Sequence, residues 1–135
     1  MSLLVRREHS RYELLGKLTR RGYDSAACEA VLDDLISENA LSDHRFAELY
    51  VNYRRERGFG PLRIREELRK RGVSDSLRDE FCVPTDADWA VRVQALRRRR
   101  FGEVAALEFD ERARQARFLS QRGFTGAQVS AALDD

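Results

Sequence analysis

Arginine is the residue type in this sequence with the most obvious chemistry. Of the 25 basic residues in the 135-residue chain, 23 are Arg, and lysine occurs only at Lys17 and Lys70. A guanidinium is planar, permanently charged and donates through a fixed fork that matches phosphate or carboxylate oxygens in pairs. G+C-rich coding produces the same excess, so composition alone does not separate the two causes. Position says more. Arg54, Arg55 and Arg57 close one predicted helix, Arg97, Arg98, Arg99 and Arg100 close another, and Arg63, Arg65, Arg69, Lys70 and Arg71 lie on a helix between them. Cations near helix C-termini are favoured by the macrodipole, and charged faces are commonly just solvated. One or two cations saturate the dipole effect, however, and four consecutive arginines exceed it.

The formal net charge is only +2, which excludes a uniformly basic coat. It conceals bands: residues 1–23 carry +4, 24–51 carry −6, 52–72 carry +5, 73–91 carry −4, 92–102 carry +5 and 103–135 carry −2. If successive repeats stack, the basic bands align into one stripe able to bind phosphates or an acidic protein surface. Tyr50, Tyr53 and Phe59 lie beside such a band, where aromatic rings can stack on bases. At helical spacing aromatics more often belong to a core, and Phe46 and Trp89 are assigned there.

Other chemistries find no support. Gly58-Phe59-Gly60-Pro61 lacks the Lys-Ser or Lys-Thr pair of a nucleotide-binding loop and reads as a turn plus helix start. His9 and His44 fit no zinc spacing; His9 precedes a helix cap, where it can staple over Leu14, and His44 opens a helix. Cys28 and Cys82 fall in apolar settings and read as buried small hydrophobes. No pair of carboxylates stands out from helix surface. No catalytic residue, metal site or cofactor is expected. Two cysteines make no disulfide framework and no run approaches the ~18 apolar residues of a membrane span, so a cytoplasmic monomer without membrane association is expected.

The elements that must position the arginines repeat along the chain. Leu18-Thr19-Arg20-Arg21-Gly22-Tyr23, Leu68-Arg69-Lys70-Arg71-Gly72-Val73 and Leu119-Ser120-Gln121-Arg122-Gly123-Phe124 share one pattern, their glycines 50 and 51 residues apart. Glycine in the left-handed conformation just after a helix brings the next residue back against the third-last helical one. That pairs Leu18 with Tyr23, Leu68 with Val73 and Leu119 with Phe124. Asp24, Ser74 and Thr125 then cap the following helices, Thr125 with Gln128 as a capping box. The preceding helices begin at the Ser10–Glu13 capping box, at Gly60-Pro61 and at Asp110-Glu111. The third start is the weakest match, because Gln115 replaces the apolar Leu14 and Ile64.

Longer helices separate these pairs. One opens at Ser42 or Asp43 and ends at Gly58; the other opens at Thr85 or Asp86 and ends at Gly102. Leu3 to Arg7 reads as the tail of an equivalent, shortened first helix. Cys28, Val31, Leu32, Leu35 and Ile36 form the clearest amphipathic stripe. The expected fold is all-α: tandem three-helix repeats of about fifty residues stacked into an elongated, curved array. It forms a single helical-repeat domain, 1–135, with approximate repeats 1–40 (truncated), 41–84 and 85–135.

Arg6 to Leu14, Lys17-Leu18, Arg21-Gly22-Tyr23, Leu41 to Ala47 and the run Arg57 to Leu68 together resemble the bacterial RecX regulatory proteins. Arg100-Phe101-Gly102, Arg117-Phe118-Leu119 and Arg122-Gly123-Phe124 also fit, so the resemblance covers nearly the whole chain. Two features depart from it: the short N-terminal helix, and Asn39 where the family often has Gly, a mild change because Asn tolerates the left-handed conformation. The resemblance implies binding to RecA recombinase filaments on single-stranded DNA. Such binding reduces recombinase ATPase and strand exchange and so modulates DNA repair and recombination. On that reading Arg54, Arg57, Arg63, Arg69, Lys70, Arg71, Arg97, Arg98, Arg99 and Arg100 supply the contact to filament or DNA, with Tyr50 adding stacking or packing. The alternative is a helical-repeat nucleic-acid-binding module without a recombinase partner.

Overall fold

The computed structural model describes residues 8–103 and 107–134, so the helix tail expected at Leu3 to Arg7 lies outside the described residues. Among the described residues the chain is entirely helical. The helices are α1 (Arg11–Arg20), α2 (Ser25–Ser37), α3 (Asp43–Glu56), α4 (Pro61–Lys70), α5 (Asp75–Phe81), α6 (Ala87–Phe101), α7 (Phe109–Gln121) and α8 (Gly126–Asp134).

The glycine corners form as their spacing predicts. Gly22, Gly72 and Gly123 adopt φ of 89°, 79° and 104°. Tyr23, Val73 and Phe124 each donate a backbone N–H back to Leu18, Leu68 and Leu119 at 3.3, 3.0 and 3.4 Å. Two further helices end the same way. After α3, Gly58 has φ 88° and Phe59 donates to the Arg54 carbonyl at 3.2 Å; after α2, Asn39 has φ 59° and Ala40 donates to Leu35 at 2.8 Å. Asn at that position therefore keeps the left-handed turn.

The caps are equally local. The Ser10 hydroxyl accepts from Glu13 N at 3.1 Å while Ser10 N donates to Glu13 Oε1 at 3.4 Å, and Thr125 and Gln128 reciprocate in the same way. Asp24, Ser42, Ser74 and Asp86 cap α2, α3, α5 and α6. The helix α7 starts at Phe109, slightly before Asp110, and its cap residue Glu108 makes no side-chain bond.

The chain divides into two compact units, Met1–Asn52 with Glu67–Phe81, and Tyr53–Glu66 with Cys82–Asp135. In the first, α1 packs on α2, and Cys28, Leu32, Phe46, Val51, Leu68 and Val73 are buried. The apolar stripe of α2 is only partly covered: Cys28 and Leu32 are buried, whereas Val31 and Ile36 remain 50% and 45% exposed. In the second unit α6, α7 and α8 pack on one another around Trp89, Val93, Leu119, Phe124, Val129 and Leu133. Cys82 is buried there, and loss of hydration pushes its thiol up to about 11, so it stays protonated and unreactive near neutrality.

Candidate anion-binding surface

Each unit contains one place where a glycine corner docks on the N-terminus of an earlier helix. In the first unit, the Ser10 hydroxyl at the start of α1 donates to the carbonyl of Arg71 at 2.5 Å. The Arg71 guanidinium then meets the carboxylate of Glu13, with Nη1 2.6 Å from Oε2. It also lies 4.8 Å from the ring centre of Tyr50, whose hydroxyl donates to Glu67 Oε1 at 3.0 Å. Burial raises the Tyr50 phenol above its ordinary value. Burial also pulls the Arg71 guanidinium down, but Tyr50 and Glu13 outweigh this and hold it above its usual value. The positive charge of this corner is thus answered by a carboxylate.

In the second unit the same construction recurs with different residues. Gly60, at the start of α4, donates its N–H to the Arg122 carbonyl at 2.7 Å, and Leu62 N–H donates to Gly123 O at 2.9 Å. A glycine is required at position 60 because a Cβ there would lie 2.5 Å from the Gly123 carbonyl carbon. Gly60 stands where Ser10 stands in the first unit, so the counterpart of Glu13 is Arg63, fifty residues later. The corner arginine Arg122 therefore faces another arginine instead of an acid.

Aromatic rings hold this basic cluster. The guanidinium carbons of Arg54, Arg63 and Arg122 lie 3.8, 4.5 and 4.6 Å from the ring centre of Phe59. Arg122 and Arg100 lie 5.3 and 4.9 Å from that of Phe118, which meets Phe101 edge to face at 5.4 Å. Each such contact at an exposed site contributes about 0.5–1 kcal/mol, enough to orient a guanidinium, and Arg63 Nη1 also donates to the Gln121 carbonyl at 3.2 Å. Burial first, and then the charges of Arg63, Arg100, Arg54 and Arg99, pull the Arg122 guanidinium below its ordinary value. A negative group placed beside Arg122 would favour its charged form.

The residues expected at a contact surface thus fall into distinct settings. Arg54, Arg63 and Arg100 join the cluster, and Arg98 and Arg99 are exposed on the last turn of α6. Arg57 lies 4.7 Å from the ring centre of Tyr53. In the first unit, Arg69 and Lys70 are exposed and Arg71 pairs with Glu13, while Tyr50 packs against Phe46 at 5.7 Å between ring centres.

Arg97 departs from its expected place. It is 5% exposed, its Nε donates to Gln115 Oε1 at 3.0 Å and its Nη1 donates to the Ala132 carbonyl at 3.2 Å. Gln115 is also buried and donates onward to Glu111 Oε1 at 3.0 Å. The buried guanidinium is therefore satisfied inside the α6–α7–α8 core, and it is unavailable to a partner. Conversely, Arg122 was not among the expected contact residues. Its signal was present in the repeat, since Arg21, Arg71 and Arg122 all directly precede a corner glycine.

Among the described residues no group of three His, Cys, Asp or Glu side chains is placed to hold a metal ion, and no helix is long and apolar enough to cross a membrane. His9 Nε2 sits 2.7 Å from Lys17 Nζ, and His44 Nε2 sits 2.8 Å from Glu80 Oε2 with its ring against Phe81.

Family models described as the first, second and third three-helix domains of RecX match residues 1–35, 42–80 and 88–133. The chain is 48% identical over 132 residues to regulatory protein RecX of Halorhodospira halophila, covering 98% of this chain and 82% of that protein. It is 43% identical over 124 residues to regulatory protein RecX of Pseudomonas savastanoi pv. phaseolicola, covering 92% and 80%. The crystal structure of RecX from Lactobacillus salivarius superposes with a TM-score of 0.79 at 19% identity, over 93% of this chain and 84% of that one, a likeness of fold.

Proposed function

This chain belongs to the RecX family of regulatory proteins, and we propose that it binds RecA recombinase filaments on single-stranded DNA and restrains recombinase ATPase and strand exchange. The observation that carries the reading is similarity to proteins named as regulators along all three helical domains. The arginine cluster on Phe59 and Phe118 supports it, because a filament on DNA offers phosphate and acidic protein surface together. On this reading Tyr50, Arg54, Arg57, Arg63, Arg69, Lys70, Arg71, Arg98, Arg99 and Arg100 line the contact and Arg122 joins them. Arg97 acts through the core by holding α6 to α7 and α8. The protein acts as a non-catalytic cytoplasmic monomer that modulates DNA repair and recombination.

The test is a titration of the protein into a recombinase–single-stranded DNA ATPase assay, run beside a DNA-binding control. The expected result is inhibition, with co-sedimentation on filaments, at protein concentrations where free DNA is little bound. Inhibition that merely tracks DNA affinity and collapses with salt favours a nucleic-acid-binding module without a recombinase partner. Absence of both inhibition and co-sedimentation overturns the reading.

A further inference from the structure

Within the first unit, a cleft of about 310 Å³ opens where α2 ends and α3 begins, and it includes none of the contact residues named above. Arg11, Ile36, Asn39, Leu41, Ser42 and Asp43 line it. Leu41 is buried, whereas Ile36 stays 45% exposed and leaves an apolar wall uncovered. The turn between the helices is held in place. Asn39 sits in its left-handed conformation, and Arg45 Nη1 and Nη2 donate to the carbonyls of Asn39 and Ala40, each at 3.2 Å. Asp43 Oδ1 accepts the Arg11 backbone N–H at 2.8 Å, while Oδ2 accepts no hydrogen bond from the described residues. We propose that this cleft receives a lysine or arginine side chain of a protein partner, its stem against Ile36 and its charged head on Asp43.

Charge and shape select this guest. Residues 24–51 carry −6, and the arginines at the cleft are already paired. Arg11 Nη2 lies 2.5 Å from Glu29 Oε2 and 3.6 Å from Asp33 Oδ1, and Arg45 Nε donates to Glu8 Oε1 at 2.7 Å. An incoming cation therefore meets a carboxylate oxygen with room for a donor, whereas an incoming anion meets guanidinia that already hold carboxylates. A long basic side chain lays its methylene stem along apolar surface while its head keeps polar partners. The Ser42 hydroxyl and the Asn39 amide supply neutral acceptors for the remaining donors of that head. Glycine at position 39 keeps the turn but brings no amide. The cleft and its basic guest stand on this geometry; naming a recombinase filament as the partner rests on the family reading.

The first measurement uses the intact protein alone. Backbone amide shifts are followed by heteronuclear NMR as Nα-acetyl-lysine methylamide is added to about 50 mM, since so small a ligand binds only weakly. Nα-acetyl-glutamate methylamide is the counter-probe. The lysine probe is expected to give saturable shifts at Ile36, Asn39, Ser42 and Asp43, and Asp43→Asn is expected to abolish them. The second measurement is co-sedimentation with recombinase filaments. Asp43→Asn is expected to weaken it about tenfold and Asn39→Gly about threefold, for the loss of a charged and of a neutral hydrogen bond. Binding to a free thymidine oligonucleotide is expected to stay unchanged in both. Asn at position 43 preserves the Oδ1 acceptor for Arg11, and circular dichroism confirms that each variant folds.

Three results overturn the proposal: no shifts at the cleft with the lysine probe, equal shifts with the glutamate probe, or filament binding untouched in both folded variants. Unaltered protein that never sediments with filaments overturns the family reading instead, and the probe titration then decides the cleft by itself.

Discussion

Arg71 and Arg122 occupy the same position of successive repeats, and their corners dock in the same manner on a helix start. Around Arg71 the helix start supplies Glu13, and the charge is neutralised where it arises. Around Arg122 it supplies Arg63, a like charge that shares the Phe59 ring with it. A repeat architecture therefore lets one side chain convert a structural joint into an electrostatic one while the backbone contact is retained. Docking rests on the Ser10 hydroxyl in one corner and on main-chain hydrogen bonds in the other, whereas the charge beside each corner rests on a single choice of sign.

The largest effect is expected from the backbone contact. Gly60→Ala places a Cβ 2.5 Å from the Gly123 carbonyl carbon, and urea unfolding should show a loss of about 3 kcal/mol. Gly22→Ala meets nothing within 4 Å, so only the left-handed conformation is penalised and the loss should be about 1 kcal/mol. Equal losses would show that the second docked corner is no tighter than an open one.

A smaller effect concerns sign. The stability lost in Arg71→Ala should shrink as sodium chloride rises from 20 to 500 mM, because an attractive and partly exposed pair is screened. The stability lost in Arg122→Ala should grow over the same range, because repulsion with its neighbours is screened. Each trend should amount to about 0.5 kcal/mol. Trends in the same direction would erase the distinction between the corners.

The smallest effect is at the acid end. Arg114 first, and then Gln115, hold the Glu111 carboxyl at about 2, below its ordinary 4.5. Its folded value is depressed, so it contributes stability above the unfolded value that is lost as pH falls through about 2. Glu111→Gln should flatten the acid limb of the stability profile between pH 4.5 and 2, as followed by circular dichroism. An unchanged limb would detach Glu111 from the relay that reaches Arg97.

The corners and caps were legible in the sequence because they are short-range. Leucine, arginine and glycine at fixed offsets specify a turn whose hydrogen bonds span six residues, and the bonds at Gly22, Gly72 and Gly123 have that form. Family membership and the all-helical repeat fold were legible for the same reason, through motifs such as Arg57 to Leu68. The sidedness of the arginine run follows from helix geometry alone. Consecutive helical residues turn by about 100°, so four of them cannot share one face. Arg97 lies four residues after Val93 and eight after Trp89, on the buried face. Gln115 at an apolar repeat position was its complement, each anomaly accounting for the other. The gathering of Arg54, Arg63, Arg100 and Arg122 was not legible, since it depends on Gly60 meeting Gly123. Periodicity likewise marked the stripe on α2 but not that Val31 and Ile36 would stay exposed.

The contact between Gly60 and Arg122 also governs when the cluster comes into being. Its parts arise from segments about sixty residues apart, and such a loop must close before any of them meet. During synthesis the first corner, with Arg71, can dock long before Arg122 has left the ribosome. A nascent or partly unfolded chain therefore carries these arginines without the ring contacts at Phe59 and Phe118 that gather them.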